Sequence, residues 1–209
     1  MKIGVVAVQG AVSEHVEVLR KAIADSKMDG IVAYARNLRD LNNVSGIVIP
    51  GGESTTISRL MLTTGMHERI AELAKKGLPI LGTCAGTILL AKEGDEQVKQ
   101  TNTQLLGLLE MKVLRNAYGR QVDSFEADVK IPEIGDKLFK AVFIRAPTIE
   151  RVWNGTRAWI KYKGMIIGAK KGNILALTFH PELSGDLRIH KYFLRMAADN
   201  ALSSQHAFA

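Results

Sequence analysis

The chain has 209 residues, a length that favours one domain with a sizeable core over two. Hydrophobic residues make up 46% and charged residues 23%, values typical of a folded globular domain, which argues against a disordered or membrane-embedded chain. The formal net charge is +7, but the lysines and arginines are scattered and form no dense basic tract, so we expect no nucleic-acid partner.

The first nine residues are apolar but only as long as a strand, and they lack a small-residue cleavage site, so they do not resemble a signal peptide. No apolar run approaches the length needed to span a bilayer, and no membrane partner is expected. The single cysteine, Cys84, fits a reducing compartment, so we predict a cytoplasmic protein. One domain is expected over residues 1–200, followed by a flexible tail at 201–209.

Short apolar strands alternate with helical patterns in the first half of the chain. The predicted strands cover 2–8, 30–35, 46–50 and 79–83, and the predicted helices begin at Ser13 or cover 55–64, 67–76 and 87–92. This alternation is typical of a parallel sheet covered by helices on both faces, with ligand sites at the carboxyl ends of the strands.

The second half of the chain is richer in strands. Strands are predicted at 108–115, 124–130, 141–144, 158–162, 165–170 and 174–179, and a closing helix at 190–199. Because few helices separate these strands, we expect antiparallel additions to the sheet. The predicted fold class is α/β, a three-layer sandwich with a mostly parallel central sheet and antiparallel additions.

A glycine stands two residues before and two residues after Cys84, in the segment GTCAG at 82–86. The segment joins a predicted strand to a predicted helix, which is the context of a nucleophile elbow with sulfur in place of oxygen. A sharp turn needs small neighbours, and the dipole of the following helix favours thiolate over thiol. A buried structural cysteine is the alternative interpretation, but packing alone does not explain both glycines.

A thiolate nucleophile needs a base that also returns a proton to the leaving amine, and histidine suits both steps. Of the five histidines, three lie within helical patterns and one in the tail, where packed or solvated side chains are expected: His15, His67, His190 and His206. His180 instead follows the apolar run 174–179, precedes Pro181, and has Glu182 two residues on. In extended chain, Glu182 then orients the His180 imidazole. Without the elbow, this segment would be interpreted as a surface turn.

Acyl transfer also needs donors for the developing oxyanion. The loop Pro50-Gly51-Gly52-Glu53 closes a buried strand at the predicted edge of the sheet that carries the elbow, and its backbone is unobstructed. We therefore predict an oxyanion hole formed by Gly52 and by Ala85, the residue after the nucleophile. An ordinary tight turn is the alternative interpretation of the loop.

Seven segments carry a resemblance to a known family: VQGAV at 8–12 with Glu14 and His15, PGGESTT at 50–56, GTCAG at 82–86, RNAYGRQ at 115–121, VDSFE at 122–126, FIRAP at 143–147 and FHPEL at 179–183. In this order they resemble the class I glutamine amidotransferases, and within them the glutaminase subunits of pyridoxal 5′-phosphate synthase. The resemblance runs from the first strand to the last helix.

The resemblance implies a flavodoxin-like amidotransferase fold and a glutaminase that releases ammonia from L-glutamine for a (β/α)₈-barrel synthase subunit, in a large hetero-oligomer. It implies that Cys84 forms the γ-glutamyl thioester, that His180 is acid and base, and that Glu182 orients His180. Pyridoxal phosphate is then a product of the assembly, so this chain is expected to have no cofactor and no metal. These implications classify the chain as a hydrolase and also as a lyase.

By the same resemblance, glutamine binds to two groups of residues: Gly51, Gly52 and Glu53 in the loop, and Arg115, Ile144 and Arg145 beyond it. An arginine suits the α-carboxylate of glutamine, and Glu53 suits its α-ammonium. The assignment of the two arginines stays open, with a surface salt bridge as the alternative for either. The family's free subunit is silent until it docks, and the Gln9-Gly10 stretch resembles part of the docking contact.

Three other functions compete with this one. A γ-glutamyl hydrolase, or a glutaminase serving histidine or purine synthesis, shares the triad but lacks the RNAYGRQ and FIRAP segments. A catalytically dead module on the same fold would carry an altered triad, and here none is altered. A thiol stress protein with an elbow cysteine would not need the FHPEL segment or the glycine-rich loop.

Overall fold

The computed structural model describes residues 1–115 and 124–206, and for 202–206 the backbone alone. The strands are β1 Lys2–Val6, β2 Ile31–Ala35, β3 Gly46–Ile49, β4 Ile80–Thr83, β5 Ala91–Gly94, β6 Leu109–Leu114, β7 Ser124–Val129, β8 Phe139–Ile144, β9 Thr148–Val152, β10 Arg157–Tyr162, β11 Met165–Lys171 and β12 Ile174–Leu177. The helices are α1 Val12–Asp25, α2 Ser54–Thr63, α3 Met66–Lys75, α4 Ala85–Leu90, α5 Glu96–Gln100 and α6 Arg188–His206. Short 3-10 turns cover Leu38–Leu41, Pro132–Ile134 and Pro181–Leu183.

Ten strands form one mixed sheet in the order β2-β1-β3-β4-β12-β11-β9-β6-β5, with β10 paired to β11. The first five strands in this order are mutually parallel. Strand β11 then pairs antiparallel with β12, and β9 pairs antiparallel with β11. The order β2-β1-β3-β4 with one further parallel strand is that of a flavodoxin-like sheet. The predicted α/β fold with a mostly parallel sheet and antiparallel additions is confirmed.

Two hydrophobic cores cover the two faces of this sheet. One core unites α1, α6 and the separate antiparallel pair β7-β8 with side chains such as Val5 and Leu175. The other unites α2, α3 and α4 with neighbouring side chains such as Val6 and Ala176. Because successive strand residues point to opposite faces, each buried strand supplies both cores, which accounts for its uninterrupted apolar sequence.

Three short elements were not predicted. Strand β5 and helix α5 follow α4 directly, and β9 follows β8. Strand β5 has the sequence AKEG and lies at the sheet edge, so it shows neither an apolar run nor clear alternation. Helix α5 has only five residues. The closing helix α6, expected to end at Asp199, continues to His206.

Parallel pairing brings the ends of three strands together. Ile49 of β3 pairs with Gly82 of β4, and Thr83 of β4 pairs with Leu177 of β12. The loops that follow these strands therefore leave the sheet side by side. Across the described ranges, no helix has the length and apolar character needed to cross a membrane.

Candidate active site

Cys84 lies on a strained turn between β4 and α4. Its backbone has φ 48° and ψ −106°, a conformation that costs free energy for a residue other than glycine. The turn is held in place because the Cys84 N–H donates to Leu177 O at 2.8 Å. Gly86 passes so close to β3 that a Cβ on it would lie 2.1 Å from Ile49 O. The elbow predicted from the glycine spacing is present in the structure.

His180 lies between Cys84 and Glu182. Its Nδ1 is 2.7 Å from Glu182 Oε1, and its side chain also interacts electrostatically with Cys84. All three residues are buried. The geometry differs from the prediction in one respect, since Pro181–Leu183 is a 3-10 turn and not extended chain. The turn places the Glu182 carboxylate in contact with the imidazole of His180.

The interactions among these residues shift the pKa values of His180 and Glu182 towards their charged forms. Burial alone lowers the pKa of His180, but hydrogen bonds and charge interactions with Cys84 and Glu182 outweigh it and raise that pKa to about 10. Burial alone raises the pKa of Glu182, but the interactions with His15 and His180 outweigh it and hold that pKa below its ordinary value. His180 is therefore an imidazolium and Glu182 a carboxylate at neutral pH.

Sequence reasoning missed one neighbour of this trio, His15 of α1. His15 is fully buried, with Nε2 3.3 Å from Glu182 Oε2 and 3.0 Å from Thr83 Oγ1. Its helical position had suggested an ordinary packed histidine. The signal that could have singled it out was that His15, together with Glu14, was quoted with the VQGAV segment for the family resemblance.

The glycine-rich loop packs directly against this trio. A Cβ on Gly51 would lie 2.5 Å from His180 Cε1 and 3.2 Å from Cys84 Cβ, so only glycine fits there. Gly51 O accepts a hydrogen bond from the Ala11 N–H at 2.9 Å, and the Gln9 side chain accepts one from the Glu53 N–H at 2.9 Å. The stretch before α1 therefore holds the loop in place.

Glu53 contacts both the start of α2 and the side chain of Arg115. It caps α2 by accepting hydrogen bonds from the N–H groups of Thr55 and Thr56, and it pairs with Arg115 at 2.6 Å. Burial alone raises the pKa of Glu53, but the bonds to Thr56 and Thr55 outweigh it and lower that pKa to about 2. Arg115 thus makes the ion pair considered as its alternative role, but the pair lies at the cavity and not on the open surface.

A cavity of about 360 Å³ opens beside Cys84 and His180. Of the predicted oxyanion-hole and glutamine-binding residues, all but Gly51 line it: Gly52, Glu53, Ala85, Arg115, Ile144 and Arg145. Arg145 adopts φ 41°, which turns the chain at the end of β8. Sequence analysis did not assign four further lining residues to this site: Gln9, Ser54, Ile88 and Pro147. Residues 116–121 of the RNAYGRQ segment lie outside the described residues.

The hydroxyl of Ser54, one of the residues that line the cavity, is buried and has no hydrogen-bond partner among the described residues.

A cavity of about 360 Å³ is large enough to hold a small amino acid. In the described ranges, no group of three or more His, Cys, Asp or Glu side chains is arranged to hold a metal ion.

Comparison with solved structures gives the class of protein. A crystal structure described as a glutamine amidotransferase superposes with a TM-score of 0.83 and 36% identity, covering 94% of this chain and 98% of its own. A second one, a glutamine amidotransferase from Thermotoga maritima, shares the fold with a TM-score of 0.63 at 15% identity, over 95% of this chain and 96% of its own. The fold is that of a glutamine amidotransferase.

Sequence comparison assigns the chain to one family of glutamine amidotransferases. The model of the SNO glutamine amidotransferase family matches residues 5–199, and the chain belongs to this family. A relative from Methanosarcina mazei, called pyridoxal 5′-phosphate synthase subunit PdxT, is 54% identical over 93% of this chain and 97% of its own. A Thermococcus onnurineus protein of the same name is 48% identical over 94% of this chain and 99% of its own. The resemblance stated from the sequence is confirmed.

These comparisons also correct one expectation. The classification as a lyase is wrong, because the family is one of glutamine amidotransferases, whose reaction is the hydrolysis of an amide. The classification as a hydrolase stands.

Proposed function

We propose that this chain is the glutaminase subunit of a pyridoxal 5′-phosphate synthase and hydrolyses L-glutamine through a Cys84 thioester. The observation that carries the proposal is the position of His180, which contacts Cys84 and Glu182 at the wall of a cavity that fits an amino acid. Family membership supplies the amide substrate.

In the first half-reaction, the Cys84 thiolate attacks the side-chain amide carbon of glutamine. The carbonyl oxygen becomes an oxyanion, which the N–H groups of Gly52 and Ala85 stabilise; Ala85 begins α4, where N–H groups have no partner within the helix. His180 gives its proton to the leaving nitrogen, the C–N bond breaks, and ammonia departs. The γ-glutamyl thioester remains on Cys84.

In the second half-reaction, His180 takes a proton from water, and the hydroxide attacks the thioester. The C–S bond breaks and returns the Cys84 thiolate and glutamate. Glu182 keeps His180 in the required orientation and stabilises its charged form in both halves.

Different residues are assigned to the α-carboxylate and to the α-ammonium group of glutamine. Arg115 and Arg145 are the cations available for the α-carboxylate, and Glu53 is the anion for the α-ammonium. Because Arg115 is paired with Glu53, glutamine entry has to rearrange this ion pair. Gly52 and Ile144 complete the walls, and Gly51 packs against His180 next to them.

The partner we propose is the barrel-shaped synthase subunit, in a hetero-oligomer that works in the cytoplasm. The synthase subunit consumes the ammonia, so this chain itself needs no cofactor. The loop at Gly51 depends on contacts from Gln9 and Ala11, so a partner that docks on this stretch acts directly on the oxyanion hole.

The test is glutamate release from glutamine, measured for the chain alone and after addition of the synthase subunit from the same source. We expect strong activation by the partner. Activity without any response to the partner would indicate a different amidotransferase or a hydrolase, and silence in both assays would indicate a dead module.

The nucleophile is tested by Cys84→Ala. Removing the sulfur abolishes thioester formation, so we expect glutamate release at background while docking and synthesis from added ammonia persist. Ammonia-dependent synthesis by the assembled complex is the control for folding. Glutamate release well above background in this variant would contradict the role of Cys84.

A further inference from the structure

His15 connects two parts of the candidate active site. It lies on α1, fully buried, and its Nε2 faces both Glu182 Oε2 at 3.3 Å and Thr83 Oγ1 at 3.0 Å. Thr83 directly precedes Cys84 in the elbow. One imidazole therefore contacts the carboxylate that orients His180 and the backbone segment that presents the nucleophile.

The chemistry of these groups determines how His15 interacts. Glu182 is ionised, because the His15 and His180 interactions outweigh the effect of burial and lower its pKa, and a carboxylate only accepts hydrogen bonds. Burial lowers the pKa of His15, so its ring is neutral and carries one N–H. The ring stabilises the carboxylate only in the tautomer with hydrogen on Nε2.

Glu182 needs this second contact. Its Oε1 is committed to His180, and its Oε2 is buried without a hydrogen bond of good geometry to any described residue. A buried carboxylate oxygen without a donor destabilises the arrangement. At 3.3 Å, a small rotation of the His15 ring places an N–H on Oε2, and a carboxylate held at both oxygens keeps Oε1 aimed at His180.

We infer that His15 is a positioning residue for the glutaminase reaction: it anchors the second oxygen of Glu182, so that the first stays on His180. The inference rests on the proposed function. His15 touches neither the cavity nor the sulfur and acts only through Glu182 and Thr83. Four titratable groups face it: Glu182, His180, His190 and Glu14.

His190 of α6 provides a matched control. It is as buried as His15, and the two ring centroids lie 5.7 Å apart. Neither ring nitrogen of His190 has a hydrogen-bond partner among the described residues. A purely packing role for a buried histidine in this region predicts equal effects of replacing either one.

The experiment compares four variants, each in the complex with the synthase subunit: His15→Leu, His15→Asn, His15→Gln and His190→Leu. In His15→Leu and His15→Asn no donor reaches Oε2, whereas a glutamine amide extends to the former Nε2 position. Outer-shell partners that orient an imidazole in metal sites are worth roughly tenfold to a hundredfold. We expect a kcat loss of this order for Leu and Asn, with KM little changed, recovery of most of kcat for Gln, and near wild-type activity for His190→Leu.

The pH profile separates positioning from general destabilisation. A loosely held Glu182 supports the His180 imidazolium less, so the alkaline limb of kcat moves to lower pH in His15→Leu and His15→Asn. His15→Gln and His190→Leu are expected to keep the wild-type limb.

Equal losses of kcat in His15→Leu and His190→Leu would overturn the inference, and so would an unshifted alkaline limb in His15→Leu and His15→Asn. If His15→Leu does not fold, the comparison of Asn with Gln decides, because both are polar and only their reach differs. Glutamate release that survives Cys84→Ala would instead refute the proposed function itself.

Discussion

At the scale of single residues, the site owes its character to buried imidazoles in contrasting surroundings. Burial alone lowers the pKa of His180, but its interactions with Cys84 and Glu182 outweigh burial and raise that pKa to about 10. His190 is fully buried beside another imidazole, and burial together with His15 lowers its pKa to about 3 in spite of Glu182 and Asp186. The same side chain is therefore charged at one position and neutral at the other.

His190 leads to a prediction about acid stability. Its pKa is lower in the folded state than in the unfolded chain, so its contribution is fully present above about pH 6.5 and is lost as the pH falls towards about 3. Replacing His190 with Leu removes this proton uptake on unfolding. We expect the variant to lose about 2 to 3 kcal/mol less stability than wild type between pH 6.5 and 4.5.

Urea unfolding at the two pH values measures this difference. The buried His15 retains its own acid sensitivity in the variant, so some loss remains. Identical pH dependence in wild type and His190→Leu would show that His190 is protonated in the folded state.

At the scale of elements, short helices and turns position the chemistry. The cap of α5 is an example: Asp95 accepts from the Val98 N–H at 3.0 Å and from the Arg115 N–H at 2.7 Å. One carboxylate thus begins a helix and fixes the backbone of a cation at the cavity. Sequence analysis missed α5 and, with it, the support of Arg115.

Asp95→Ala tests this double role. We expect a loss of about 1 kcal/mol or more from the missing cap, and a KM for glutamine raised about fivefold, which corresponds to about 1 kcal/mol of binding energy. Glu96→Ala is the control, because Glu96 is exposed and its ion pair within the described residues is with Lys99 of the same helix. A KM for glutamine equal to that of Glu96→Ala would show that Asp95 does not influence substrate binding.

At the scale of the whole molecule, the aromatic core under β7-β8 supports the wall of the cavity. Phe143 is buried, stacks on Phe125 with centroids 4.4 Å apart, and contacts Phe179 at 5.7 Å. It directly precedes Ile144, whose carbonyl faces the Cys84 sulfur at 4.0 Å. Packing between the small sheet and the main sheet therefore sets the position of the wall.

Phe143→Ala is expected to cost about 3 to 5 kcal/mol in the free energy of unfolding, because it leaves a cavity in a close-packed core. Leu138→Ala is the control; Leu138 is 50% exposed, and its truncation should change stability by about 0.5 kcal/mol or less. Chemical unfolding compares the two. A similar, small loss for both would mean that the aromatic cluster contributes little.

The order and type of most elements could be predicted because their apolar periodicity is local. The elbow could be predicted for a similar reason, since glycines flanking Cys84 and the strand-to-helix change are visible in five residues. Strand β5 could not be predicted, because an edge strand paired on one side needs no apolar pattern. The 3-10 turn at Pro181–Leu183 was also missed, because its conformation depends on the packing of β12 and β8.

Sequence alone determined the fold class, the family and most of the residues that meet at the cavity, because each is encoded in short segments whose chemistry is local. Tertiary structure decided which other side chains join them. His15 lies 167 positions from Glu182, and Asp95 lies 20 from Arg115. Their contacts arise from parallel strand pairing and helix packing, which bring distant segments together without leaving a periodic signal in either one.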